Sequence, residues 1–124
     1  MQKCILTVDD ENDVLLILRT ALTSEGYNVL TATNGFDALA IAEDHKPDLI
    51  ILDLMMPEMD GFAVLDKLKE NLATASIPVI ILTGISEKKK IRELIDKGIK
   101  YWIVKPFDYH DLISKVKLAI EENI

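Results

Sequence analysis

Five short aliphatic runs, each followed by a longer stretch in which apolar residues recur at helical spacing, leave this chain few folds to choose from. The runs cover residues 4–8, 29–32, 49–52, 79–82 and 102–104. The first, third and fourth are nearly unbroken Ile, Leu and Val, the composition of parallel strands covered on both faces. Between the runs, Val14, Leu15, Leu18 and Leu22 make one helical face, which Gly26 can stop. Ala38, Leu39, Ile41 and Ala42 make a second face, and Phe62, Leu65, Leu68 and Leu72 a third. Ile91, Leu94 and Ile95 make a fourth, ended by Gly98; Leu112, Val116, Ala119 and Ile120 make a fifth. Each face spans about 100° or more, enough to cover a sheet. Asn34, Asp60, Ser86 and Asp108 stand where N-caps are wanted, because their side chains can accept the orphan amide hydrogens of a first turn.

Five strand–helix units in succession predict a three-layer α/β/α domain with a parallel sheet, since parallel strands need crossovers and helices supply them. Right-handed crossovers leave few topologies. The expected one is the flavodoxin-like order 2-1-3-4-5, with residues 1–124 as one domain. Composition agrees with a single soluble domain. The chain has 124 residues, 49% of them hydrophobic, enough for one core. Its 21 acidic and 14 basic side chains give a net charge of −7, which disfavours nonspecific nucleic-acid binding. No apolar run is long enough to span a bilayer, and the start lacks the apolar stretch of a signal peptide, so a cytoplasmic location is expected with no membrane partner. Cys4, the single cysteine, excludes an internal disulfide and a cysteine-based zinc site.

In a parallel sheet of this order, ligands bind beyond the carboxyl ends of the strands. Those ends carry Asp9 and Asp10, Asp53, Thr83 with Gly84, and Lys105 with Pro106. One Asp at a strand end is ordinarily a solvated turn residue or a helix cap. Matching groups at four of five ends are a different matter. Three carboxylates brought together repel, and either a proton or a cation relieves them. A hard divalent ion such as Mg²⁺ suits oxygen ligands. A carboxylate beside Mg²⁺, a lysine and a hydroxyl is suited to phosphoryl transfer. Asp53, ending the central strand before a turn expected to leave its side chain exposed, is the expected nucleophile.

The residues Val8-Asp9-Asp10-Glu11, the stretch from Asp53 through Met55, Pro57 and Asp60 to Gly61, then Thr83-Gly84 and Lys105-Pro106-Phe107, taken in this order, resemble the response-regulator receiver domains of two-component signalling. The resemblance covers the whole chain. It implies that Asp53 takes a phosphoryl group from a phosphohistidine on a sensor histidine kinase or phosphotransfer protein. It implies that Asp10, Asp53 and the Met55 carbonyl hold Mg²⁺, with Asp9 acting through water. Lys105 would pair with one phosphoryl oxygen and Thr83 with another, while Gly84 leaves room. The Lys105–Pro106 bond would be cis. Thr83 and Trp102 would form the switch, shifting the surface made by the fourth helix, fifth strand and fifth helix toward a downstream partner or output domain. Such a protein is a regulatory switch that catalyses its own phosphorylation and dephosphorylation, not a metabolic enzyme.

Several positions depart from the usual pattern of that family. Trp102 is bulkier than the common Tyr or Phe, which restricts an inward rotamer. Ile99 replaces a common Ala, and Lys100-Tyr101 replaces an acidic pair that joins a charged dimer seam in one DNA-binding subfamily. Met55 and Ile85 are both apolar and cannot orient an attacking water, so a persistent phosphoryl group is expected. Lys88, Lys89, Lys90 and Arg92 read as a solvated face or a partner-docking patch, not a DNA contact. His45 and His110 stand alone, and Cys4 reads as a small core residue. An aspartyl phosphatase would want an Asp-x-Asp after the first strand, which Asp9-Asp10 does not supply. A flavin-binding domain would want a hydroxyl-rich phosphate loop there, and a pure interaction module would not need the full set of strand-end groups.

Overall fold

The aliphatic runs form five strands because Val, Ile and Leu fill a pleated surface buried on both sides. The computed structural model describes residues 2–84 and 88–122. The elements are β1 (Cys4–Val8), α1 (Asn12–Ser24), β2 (Asn28–Ala32), α2 (Gly35–His45), β3 (Leu49–Asp53), α3 (Gly61–Glu70), β4 (Val79–Thr83), α4 (Lys88–Asp96), β5 (Tyr101–Val104) and α5 (Tyr109–Glu122). The sheet is parallel with order β2-β1-β3-β4-β5, the expected flavodoxin-like arrangement. Several strands run one residue longer than the aliphatic runs, β3 through Asp53 and β4 through Thr83, which brings two chemistry-bearing residues into the ladder itself.

Alternation along the strands divides the core into two layers. Leu6, Ile50, Leu52 and Ile81 face α2, α3 and α4, where Ala38, Ala42, Val64, Leu65, Leu68 and Leu94 meet them. Ile5, Leu49, Ile51, Ile80 and Leu82 face α1 and α5, against Leu18, Leu22, Leu112 and Val116. Among the described residues no helix is long and apolar enough to cross a membrane.

The expected caps form where they are described. Asn34 Oδ1 accepts from the Asp37 amide at 2.8 Å, Asp60 Oδ1 from Ala63 at 2.9 Å and Asp108 Oδ2 from Asp111 at 3.0 Å. Ser86 lies outside the described residues. Gly26 and Gly98 end α1 and α4 with φ of 92° and 90°, a region that favours glycine. Two expected core residues are not in the core. Leu72 is 95% exposed, because α3 ends at Glu70 and the chain has turned away before the next helical repeat. Ile95 is 52% exposed, because α4 touches the sheet along a narrow stripe whose buried residue is Leu94.

Gly61 fixes the height of the loop after β3. Its amide donates to the Leu54 carbonyl at 2.9 Å. A Cβ there would stand 2.6 Å from the Asp53 carbonyl oxygen and 2.8 Å from Leu54 Cα, both backbone atoms that cannot swing aside. Gly61→Ala is therefore expected to lower stability in urea titration by about 1–3 kcal/mol. Gly84→Ala, where a Cβ would meet nothing within 4 Å, should stay within about 0.5 kcal/mol of wild type.

Candidate functional site

The register brings the acidic strand ends together. Val8 pairs with Leu52, so Asp9 stands beside Asp53, and Asp53 pairs with Leu82, one residue before Thr83. Asp9, Asp10 and Asp53 each offer a carboxylate oxygen, all within 4.8 Å of one another. Each side chain has a local reason for its position. Asp9 Oδ1 accepts from the Glu11 amide at 2.9 Å, a turn that opens α1 and orients the other oxygen inward. Asp53 Oδ1 faces the Met55 amide at 3.4 Å. The Lys105 amide donates to the Thr83 carbonyl at 2.7 Å, continuing the β4–β5 ladder one step past the strand. The Lys105–Pro106 peptide bond is cis, as the resemblance implied.

Lys105 reaches into the cluster. Its ammonium lies 2.8 Å from Asp9 Oδ2, 3.5 Å from Asp53 Oδ1 and 3.6 Å from Glu11 Oε1. Glu11 was legible as part of the acidic run, but its approach to Lys105 depends on how α1 starts and was not foreseen. Asp53 is not exposed as the sequence suggested. Its side chain is 2% exposed and that of Asp9 is fully buried, because Lys105, the Met55 loop and the neighbouring strand ends close over them. Thr83 is buried at the end of the adjacent strand. Trp102 is outside the cluster, half-buried against the layer under α4, with its carbonyl accepting from Lys115 at 3.0 Å. Trp102 pairs with Ile81 and Val104 with Thr83, which puts the Trp102 and Thr83 side chains on one face of the sheet. Ile85 lies outside the described residues, while Met55 is 52% exposed at the mouth of the site. His45 and His110 sit on helices away from it.

The charge balance is lopsided. Among the described residues, three carboxylates face the Lys105 ammonium, and Glu11 adds a fourth negative group at the rim. Burial, then the charge of Asp9, pushes the Asp53 carboxyl up to about 6, against the pull of Lys105 and the Met55 amide. Burial pulls the Lys105 ammonium down, but its close contact with Asp9 and the charges of Asp53, Asp9 and Glu11 outweigh it and hold the lysine protonated. Asp9 Oδ2 is buried without an aligned hydrogen bond, even though the ammonium is close. Oxygen-rich, net negative and holding a buried oxygen with unused acceptor capacity, the cluster fits a hard divalent cation.

Comparison with known proteins agrees with this geometry. The pattern described as the response regulator receiver domain matches residues 5–117. The transcriptional regulatory protein KdpE of Mycobacterium tuberculosis is 36% identical over 119 residues, covering 96% of this chain and 51% of that protein. The chain spans about half the length of the curated relatives it matches. The Vibrio cholerae chemotaxis protein CheY4 superposes with a TM-score of 0.91 at 30% identity, covering 96% of this chain and 99% of that one. A CheY-like receiver domain protein from Methanospirillum hungatei superposes with a TM-score of 0.92 at 28% identity, covering 99% and 97%.

The raised Asp53 pKa carries a stability cost with a definite sign. Between the ordinary value of 3.8 and about 6, the folded chain keeps a proton that the unfolded chain releases. Stability therefore falls as pH rises through that window and stays reduced above it. In metal-free buffer, Asp53→Asn is expected to be more stable than wild type by about 1–3 kcal/mol above pH 6, the gap closing toward about pH 4. Urea titrations across that pH range read it directly, and added Mg²⁺ should stabilise wild type more than the variant.

Proposed function

Because this chain belongs to the response regulator receiver domain family, we propose that it is a phosphorylation switch whose acceptor is Asp53. In the transfer, the bond from phosphorus to a phosphohistidine nitrogen of a sensor kinase or phosphotransfer protein breaks, and a bond from phosphorus to an Asp53 oxygen forms. The nitrogen keeps the electron pair and takes up a proton. The observation that carries this reading is the convergence of Asp9, Asp10 and Asp53 within 4.8 Å, with the Lys105 ammonium across from them.

Each residue has work to do. Asp53 supplies the attacking oxygen, and its ionised form is the competent one. Lys105, held protonated and 3.5 Å from Asp53, is placed to pair with a phosphoryl oxygen as charge develops. Thr83, next to the Asp53 ladder position, can donate its hydroxyl to a second oxygen. Gly84 presents no side chain to the space beyond β4. Asp10, Asp53 and the Met55 carbonyl would hold Mg²⁺, with Asp9 assisting through water; the bound cation would neutralise the carboxylates and the incoming phosphoryl oxygens. Once the anion is in place, Thr83 is drawn toward it, and Trp102 on the same face responds. This shifts the populations of the surface formed by α4, β5 and α5, which a partner protein or an attached output domain reads. The regulators with similar receiver segments carry names of transcriptional regulators.

Incubation with Mg²⁺ and a small acyl-phosphate donor, followed by intact-mass measurement, tests the reading. Wild type should gain one phosphoryl group, and Asp53→Ala or chelation of the metal should abolish the gain. Equal gains in wild type and Asp53→Ala would overturn it. A second measurement concerns lifetime. With apolar Met55 and Ile85 in place, the phosphorylated form should decay more slowly than that of a Met55→Asn, Ile85→Glu double variant; equal decay removes the argument for persistence.

A further inference from the structure

Glu11 opens α1 from a position where a short side chain usually caps the helix, yet its carboxylate caps no amide of the first turn. It reaches across to the carboxyl end of β5 instead, where Oε1 lies 3.6 Å from the Lys105 ammonium. The Glu11 amide donates to Asp9 Oδ1 at 2.9 Å, so the backbone that carries the side chain is tied to the acidic cluster. The side chain itself is 64% exposed, against 2% for Asp53 and none for Asp9.

An ammonium has three N–H donors and no more. Three carboxylates already surround that of Lys105: Asp9 Oδ2 at 2.8 Å, Asp53 Oδ1 at 3.5 Å and Glu11 Oε1 at 3.6 Å. A phosphoryl group on Asp53 would bring close to two negative charges and three good acceptor oxygens. For Lys105 to turn a donor toward it, one carboxylate must give way. Asp9 is buried and fixed through the Glu11 amide, and Asp53 would carry the phosphoryl group itself. Of the three, Glu11 can pass into water, where its charge is solvated at little cost. Leaving also takes it away from the new anion.

Building on the assignment of Asp53 as acceptor, we propose that Glu11 is a positioning residue, the displaceable partner of Lys105, holding the ammonium in the unphosphorylated chain and yielding it to a phosphoryl oxygen. No covalent bond changes in this exchange. Glu11 competes with the phosphoryl group for Lys105 and repels it, so it lowers the affinity of the site for that anion. The same charge favours a cation at the rim. Glu11 therefore weights the equilibrium toward the resting chain, and does so through Lys105 without touching the transferred group.

Beryllium fluoride with saturating Mg²⁺ serves as a stable phosphoryl mimic, and calorimetric titration of the full chain reads its affinity. Glu11→Gln, which keeps the length of the side chain but removes its charge, is expected to bind the mimic about fivefold more tightly. Mg²⁺ alone should bind this variant about twofold more weakly. Asp13→Asn removes the same charge from the same first turn, at an exposed position outside the Lys105 cluster. It should stay within about twofold of wild type for the mimic. Opposite changes for anion and cation in Glu11→Gln are what a merely structural role would not produce. Equal mimic affinity in wild type and Glu11→Gln, an equal gain in Asp13→Asn, or tighter Mg²⁺ binding by Glu11→Gln would overturn the role of Glu11 and leave the Asp53 assignment standing. No binding of the mimic by wild type would overturn both.

Discussion

Like charges held together away from water are the constraint around which this structure is organised. Asp9 and Asp53 are buried side by side and Asp10 joins them from the rim, against the ammonium of Lys105. Isolated carboxylates would spread apart or neutralise. Here backbone hydrogen bonds from Glu11 and Met55 and the fixed strand register hold them in place. The cost appears in the elevated Asp53 pKa, and it is the kind of stored repulsion that a cation or a transferred anion with its counter-ion relieves.

The rest of the fold is what makes that arrangement tolerable. Parallel pairing places every strand's carboxyl end on one edge, and two apolar layers keep the edge from shifting. The close seat of Gly61 against the Asp53 carbonyl fixes the loop that carries Met55. Attachment is uneven around the sheet, however. α1 and α5 bury several aliphatic side chains each, whereas among the described side chains of α4 the buried one is Leu94. An element with little buried surface can be repositioned at small cost, and α4 is the helix whose first turn approaches the site.

The elements and their order could be read directly from periodicity, because a run buried on both faces must be aliphatic throughout and a covering helix must repeat near 3.6 residues. The site residues were readable for a related reason: the carboxyl ends of parallel strands share an edge, so sequence position alone collects Asp9, Asp53, Thr83 and Lys105. Caps at Asn34, Asp60 and Asp108 were equally local. Leu72 and Ile95 misled because periodicity records which residues could be buried, not where a helix stops or how wide its contact with the sheet is. Asp53 misled in the opposite direction, since a turn residue looks exposed until other segments close over it.

What the chain determines by itself is therefore the alternation, the parallel sheet and the set of groups at its edge, all of them consequences of local pattern and of strand direction. Tertiary structure alone decides how deeply Asp9 and Asp53 sit, that Glu11 shares Lys105, that Lys90 reaches Met55, and that Trp102 shares a sheet face with Thr83. Those depend on distances between segments remote in sequence. Burial and charge coupling are properties of such distances, and no single stretch of residues encodes them.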